Sequence, residues 1–205
     1  MTAHDENTMP APDSPAWIAM WYDQFGDSYL AHSGHRDAFV LERLHDLGER
    51  LGNSESRVLD LACGAGVPAT QWLAGRYVVT GIDVSSGQIE RASQNVPGAT
   101  FVHEDMNAIV FPAETFHAVV CLYGLPYLTA PAQQDILDRV AQWLKPEGFF
   151  LGNWLVESAD MDSDFGGPIP DKQTALHMCE AAGLTVMQDW DQAGSELWTW
   201  VLARR

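Results

Sequence analysis

The chain has 205 residues, of which 46% are hydrophobic, and a formal net charge of −17 at pH 7. This charge opposes binding to nucleic acid or to anionic membranes, because both need a basic surface. Its three cysteines lie far apart in the sequence, which argues against a C-x-x-C zinc site and against a disulfide framework. With no long apolar run and no signal-like start, we expect a single-domain cytoplasmic protein.

The first part of the chain divides into a tail and a helical segment. Residues 1–14 are rich in proline and polar or acidic residues, a composition typical of a disordered tail. Apolar residues at helical spacing then predict two amphipathic helices, near 15–31 and 36–51. We therefore predict an N-terminal helical lid over 15–55, followed by a ligand-binding core over 56–205.

The core alternates between apolar runs and helical patterns. Strands are predicted near 57–61, 77–82, 99–102, 117–122, 148–154, 184–190 and 196–203. Helices are predicted near 66–75, 85–95, 131–144 and 171–182. Such alternation is typical of an α/β fold with a mostly parallel sheet and helices on both faces. The last two strands flank a short turn and are predicted to form an antiparallel hairpin.

The most informative stretch begins at Val58 and reads Val-Leu-Asp-Leu-Ala-Cys-Gly-Ala-Gly. An apolar strand containing Asp60 opens into a turn at Gly64 and Gly66, where a ligand can approach the backbone because no Cβ stands in the way. Seventeen residues after Gly66, Asp83 closes a second apolar run. A carboxylate there suits the two hydroxyls of a ribose. The pattern therefore predicts a nucleoside-binding crevice.

The charge around the glycine turn distinguishes between possible nucleosides. Asp60 repels a pyrophosphate and attracts a cation, and residues 58–75 contain neither lysine nor arginine. A cationic nucleoside is therefore favoured over a dinucleotide. A nicotinamide-dependent oxidoreductase and a strand-to-helix turn without a ligand remain the alternatives at this point.

Five segments in order, 59–66, 81–85, 104–106, 118–125 and 144–149, resemble the class I S-adenosylmethionine-dependent methyltransferases, most closely their small-molecule branch. The resemblance implies a Rossmann-like, seven-stranded sheet with strand order 3-2-1-4-5-7-6. It also implies S-adenosyl-L-methionine as cofactor and S-adenosyl-L-homocysteine as product.

The resemblance also implies roles for residues at the strand ends. Asp60 and the Leu122 carbonyl are expected to hold the cofactor's ammonium, and Asp83 its ribose hydroxyls. Asp105 and the Met106 amide are expected to contact the adenine. The remaining expected cofactor contacts are Gly64, Gly66, Ala62, Val84, Tyr123 and, in the lid, Tyr22 and Tyr29. Each acid could instead cap a helix, because carboxylates that follow strands often do so.

The acceptor side departs from the family pattern. Tyr127 stands where related enzymes often have histidine, and a phenol with a pKa of about 10 is a poor base at neutral pH. We therefore expect Tyr127 to bond to or pack against an acceptor, and name His32 and His35 as candidate bases. Trp17 and Trp154 are expected, like the other tryptophans, chiefly to pack in the core or at its edge, and they are also predicted to lie near enough to the acceptor side to stack on a flat substrate. The loop 156–168 carries acids that either attract an amine or are simply solvated.

The sequence thus predicts methyl transfer to an oxygen or nitrogen of a small-molecule acceptor, without a metal. The alternative is a catalytically silent domain that binds the cofactor and acts through a partner. No nucleic-acid or membrane partner is expected, and the protein is expected to be a monomer or a homodimer.

Overall fold

The computed structural model describes residues 10, 14–33, 37–52, 54–156, 170–192 and 198–205, with the side chains of the first helix described up to Gly26. Within these described residues the α-helices are α1 (Pro15–Ser33), α2 (Asp37–Leu51), α3 (Ala69–Ala74), α4 (Ser86–Asn95), α5 (Ala130–Trp143) and α6 (Lys172–Ala181). A short 3₁₀ helix spans Leu125–Tyr127. The predicted tail and the turn before the last strand fall almost entirely outside the described residues.

Seven strands form one sheet: β1 (Arg57–Leu61), β2 (Val78–Asp83), β3 (Thr100–His103), β4 (Phe116–Cys121), β5 (Leu144–Leu155), β6 (Thr185–Asp191) and β7 (Trp198–Arg204). Their order is β3-β2-β1-β4-β5-β7-β6. Strands β1 to β5 pair in parallel, and β7 runs antiparallel to both of its neighbours. The predicted fold class, strand order and C-terminal hairpin are confirmed.

The sheet is covered on both faces, which explains its nearly continuous apolar strands. On one face, α5 and α6 bury residues such as Ile136 and Cys179 against the sheet. On the other face, α2 and α3 bury Leu44, Leu47 and Leu73 against β1 and β4. These two apolar layers hold the carboxyl ends of β1, β2 and β4 together at one edge.

Two details differ from the predictions. Strand β5 begins at Leu144 instead of 148, because Leu144 already pairs with Phe116 across an irregularity in β4. The core packing expected for Trp154 is confirmed, whereas the possibility that it also stacks on a flat substrate is not. Its side chain is fully buried, and its indole Nε1–H donates to Gln133 Oε1 at 3.0 Å.

No helix of the described residues combines the length and the apolar composition that a membrane span requires.

Replacing Trp154 with alanine should lower the free energy of unfolding by about 3–5 kcal/mol. The change leaves a cavity in the core and removes the donor that bonds to the side-chain carbonyl of Gln133. Urea denaturation followed by circular dichroism measures this change. The control is Val110→Ala at a side chain that is 80% exposed, which should change stability by less than about 0.5 kcal/mol. Equal losses in the two variants would contradict the assignment of Trp154 to the core.

Candidate active site

A cavity of about 310 Å³ opens at the carboxyl ends of β1, β2 and β4. The strand order reverses between β1 and β4, and open α/β sheets bind ligands at such a switch point. Helix α1 contributes Pro15, Ile18 and Tyr22 to the wall, and α2 contributes Asp37 and Val40. The cavity therefore lies between the sheet edge and the N-terminal helices.

Asp60 is almost completely buried at the base of the cavity. The Thr70 hydroxyl donates to its Oδ2 at 2.6 Å. Burial raises the pKa of Asp60 to about 7, the Thr70 hydrogen bond opposes this rise, and the nearby charge of Asp83 adds to it. A cation in the cavity would relieve both the desolvation and the repulsion, since it favours the charged carboxylate.

Asp83 is fixed by two backbone donors. The Gly64 N–H donates to its Oδ2 and the Ser85 N–H to its Oδ1, each at 2.9 Å. Burial raises the pKa of Asp83, and these two hydrogen bonds oppose the rise. Each carboxylate oxygen keeps a second lone pair, so the group can still accept two hydroxyl protons from a ligand.

The loop after β1 and the end of β4 have unusual backbone conformations. Gly64 has φ +53°, and no atom lies within 4 Å of the position that a Cβ would occupy there, so the loop leaves open space along its backbone. Ala62 (φ 57°) and Tyr123 (φ 61°) adopt the same left-handed region without being glycine. Such strain is uncommon and tends to occur at functional sites. Both residues line the cavity.

Gly66 is the one predicted contact of the described segments that does not line the cavity. A Cβ on Gly66 would meet Val96 Cγ2 at 3.2 Å and the Ala92 backbone at 3.4 Å. The glycine therefore lets the loop pack against α4.

Asp105 lines the cavity and also caps a turn. Its Oδ1 accepts from the backbone N–H of Asn107 at 2.8 Å and from the side-chain amide at 3.1 Å. Met106 and Val84 line the same wall. Both interpretations of Asp105 from the sequence, structural and ligand-facing, are thus compatible with its place.

Tyr127 meets the lid directly. Its hydroxyl lies 2.6 Å from the hydroxyl of Tyr22, and the two rings pack edge to face with centroids 5.9 Å apart.

Both the backbone and the ring of Tyr123 are held by neighbouring residues. Its N–H donates to Asn153 Oδ1 at 2.6 Å, and its ring packs on Trp198. The side chains of Tyr29 and His32, and the whole of His35, lie outside the described residues.

The sequence interpretation missed several cavity residues. Gln88, in the first turn of α4, is buried against the wall, and among the described residues its Oε1 has no hydrogen-bond partner. Asp37, at the start of α2, also reaches the wall. The position of Gln88 five residues after Asp83 could have indicated a contact, whereas that of Asp37 depends on how α2 packs.

The described lining contains five carboxylates and neither lysine, arginine nor histidine; the acids are Asp37, Asp60, Asp83, Glu104 and Asp105. The acceptor groups of the lining suit a cationic nucleoside. Buried Asp60 can hold a positive group, Asp83 can accept from ribose hydroxyls, and the amide oxygen of Gln88 has no partner among the described residues. The open space beside Gly64 allows close approach. No cluster of His, Cys, Asp or Glu suited to a metal occurs in the described part of the chain.

Comparisons with known proteins agree with this geometry. Residues 58–148 match the family model described as a methyltransferase domain. An uncharacterized methyltransferase, sll0829, from Synechocystis sp. is 37% identical over 56% of this chain and 58% of its own length. The 27-O-demethylrifamycin SV methyltransferase of Amycolatopsis mediterranei is 29% identical over 73% of this chain and 61% of its own length. The chain thus spans about three fifths of these two relatives.

Solved structures share the fold. The [4+2]-cyclase SpnF superposes with a TM-score of 0.79 at 16% identity, covering 96% of this chain and 98% of that one. The magnesium protoporphyrin IX methyltransferase of Synechocystis, solved with bound S-adenosylhomocysteine, has a TM-score of 0.69 at 13% identity, covering 93% and 99%.

Fold and cavity are those of an α/β domain with a ligand site at the strand switch point. The segment that matches the methyltransferase domain model, residues 58–148, includes most of the strand ends that line this cavity.

Asp60→Asn should become more stable relative to the wild type as pH rises. The unfolded carboxyl loses its proton near pH 3.8, whereas folded Asp60 keeps it until about pH 7, so the wild type loses folding stability between these values. Asparagine is neutral throughout and can still accept from Thr70. Urea denaturation at pH 5.5 and pH 8 should show the difference between variant and wild type growing by about 2 kcal/mol. A difference independent of pH would contradict the raised pKa.

Proposed function

We propose that the protein transfers a methyl group from S-adenosyl-L-methionine to an oxygen or nitrogen of a small-molecule acceptor. The observation that carries the proposal is the cavity at the strand switch point, lined by five carboxylates without a described basic residue. Such a site attracts a positively charged nucleoside and repels a dinucleotide. When bound, the cofactor supplies a methyl group already activated by a positively charged sulfur.

In this proposal each strand end holds one part of the cofactor. Asp60 and the Leu122 carbonyl hold the ammonium, and Asp83 accepts the ribose hydroxyls. Asp105 and Met106 contact the adenine, whose face packs on Val84. Gln88 and Tyr123 complete the wall, and Tyr22 and Tyr29 close the lid. The support is that all of these except Tyr29, whose side chain is not described, line one cavity.

The chain's part in the reaction is alignment and exclusion of water. In-line displacement at a methyl group needs no acid for the sulfur, so holding the acceptor in line supplies much of the rate. The Tyr22–Tyr127 pair forms part of the wall below α1, where an acceptor can meet the cofactor. One hydroxyl of the pair donates to the other, so both phenols are held at the wall of the cavity. We propose that Tyr127 orients the acceptor.

A base is needed only when the acceptor carries a proton that must leave. His32 and His35 remain our candidates from the sequence. Asp37 is a third, since its carboxylate reaches the cavity outside the proposed cofactor contacts.

The acceptor class rests on charge and size. The net charge of −17 disfavours nucleic acid, and a cavity of about 310 Å³ suits a small molecule beside the cofactor. The relative named for 27-O-demethylrifamycin SV supports a small-molecule acceptor.

Binding of S-adenosyl-L-homocysteine tests the cofactor assignment. Isothermal titration calorimetry should give a micromolar dissociation constant for the wild type and at least a tenfold weaker one for Asp83→Ala, because two ribose hydroxyls lose their acceptor. The matched control is Asp191→Ala, which removes an exposed acid of β6 that pairs with Lys172 of α6. This variant should bind like the wild type. Reduced nicotinamide nucleotide should not bind. Tight binding of the nicotinamide, or full affinity in Asp83→Ala, would refute the assignment.

The alternative from the sequence, a silent cofactor-binding domain, is motivated by Tyr127 standing where a histidine base is common. A screen of amines, phenols and carboxylic acids with labelled cofactor separates the two. Turnover of any acceptor excludes the silent domain, whereas cofactor binding without any turnover favours it.

Tyr127→Phe removes the hydroxyl that meets Tyr22 and should raise the acceptor KM about three- to tenfold while leaving cofactor affinity within twofold. Tyr22→Phe should behave alike, and the double variant should cost less than the sum, because both changes break one contact. Tyr77→Phe, whose hydroxyl faces the Gly48 carbonyl outside the cavity, serves as the control in steady-state kinetics. Unchanged acceptor KM in both cavity variants would contradict the role of the pair.

A further inference from the structure

Helix α1 is fastened across the cavity by two adjacent residues. Tyr22 meets Tyr127 beyond β4, and Asp23 meets the N-terminus of α4 beyond β2. Side chains of adjacent residues on a helix point about 100° apart, so one turn of α1 can contact both Tyr127 and the N-terminus of α4, on opposite sides of the cavity. The Tyr22 contact belongs to the acceptor side described above, whereas the Asp23 contact lies on the side of Asp83.

Asp23 binds two donors with a single oxygen. Its Oδ1 accepts from the Ser85 hydroxyl at 2.5 Å and from the Gly87 N–H at 2.8 Å. The Gly87 N–H belongs to the first turn of α4, where backbone donors have no partner within the helix. A carboxylate at this end also interacts favourably with the helix dipole. Asp23 therefore caps α4 from another helix.

Ser85 carries this contact to the proposed ribose site. Its hydroxyl, which donates to Asp23, also accepts from the Gln88 N–H at 3.0 Å, and its own N–H donates to Asp83 Oδ1 at 2.9 Å. Hydrogen bonds linked in this way polarise and strengthen one another. The position of Asp83 is thus coupled to whether α1 is docked.

Small residues on both helices permit the contact. A Cβ on Gly87 would lie 2.9 Å from Asp23 Oδ1, and a Cβ on Gly26 would lie 2.8 Å from Gln88 Nε2. The first clash falls on the cap itself, and the second falls on the buried glutamine of the cavity wall. A methyl group at either position would therefore require the facing polar group, the Asp23 carboxylate or the Gln88 amide, to move from its present place.

We propose that Asp23 is a positioning residue that sets cofactor affinity by holding α1 on the N-terminus of α4 and fixing Ser85 and Asp83. Asp23 itself does not line the cavity. The inference rests on the proposed function, because it takes the ligand of Asp83 to be the cofactor.

The test measures S-adenosyl-L-homocysteine binding to full-length variants by calorimetry. Asp23→Ala should raise the dissociation constant about tenfold, since it removes two charge-assisted hydrogen bonds. Asp23→Asn keeps an oxygen that can accept from both donors and should recover part of the loss. Gln24→Ala, an exposed neighbour on α1, is the control and should stay within twofold of the wild type.

Gly87→Ala separates positioning from simple stability. Alanine is a better helix former than glycine, so α4 itself should not be weakened. The added methyl displaces Asp23, and affinity should fall several-fold while the urea midpoint stays at or near its wild-type value. With active enzyme, the cofactor KM should rise in both variants while the acceptor KM stays unchanged.

The outcomes are distinct. Wild-type affinity in both Asp23→Ala and Gly87→Ala, with binding still lost in Asp83→Ala, overturns this inference and leaves the proposed function standing. Failure of the wild type to bind overturns both.

Discussion

Two acidic side chains at one edge of the sheet, the buried Asp60 on β1 and the half-buried Asp83 on β2, are the constraint on which the site depends. Their partners are neutral donors: Thr70 for the first, and the Gly64 and Ser85 amides for the second. These donors reduce the cost of burying the charges without cancelling it, since the pKa values of both carboxyls remain raised. Placing these two carboxylates at the sheet edge lowers the free energy of unfolding, and the apolar layers on either side of the sheet must compensate for this loss. The pair is best explained by a positively charged ligand.

Much of the architecture was predictable because it follows from local pattern. Buried parallel strands are apolar throughout, and β1 and β4 show this in the sequence. The strand order came from resemblance to a family, since alternation alone fixes handedness but not order. Asp60, Gly64 and Asp83 were predictable because each ends or follows a strand, and strand ends meet at one edge of a parallel sheet.

The rest depends on how distant segments pack. Asp23 sits on an ordinary helix with nothing in its neighbourhood to mark it, and its role appears only when α1 lies on α4. The core packing of Trp154 was predictable, whereas its hydrogen-bond partner Gln133, 21 residues away in the sequence, was not. The left-handed backbone at Ala62 and Tyr123 is invisible to propensity, which reserves that region for glycine.

The position of Asp60 also governs how the cavity exchanges charge with solvent. A group whose pKa is about 7 is about half protonated at neutral pH. Any cation that settles against it favours the charged carboxylate and therefore releases protons into the buffer near neutral pH. Binding then behaves as ion exchange, because a cation enters the cavity as a proton leaves it. The heat of binding measured by calorimetry therefore depends on the ionisation enthalpy of the buffer that takes up the proton. Asp60 is thereby placed to let a cation enter the cavity with little change in local charge.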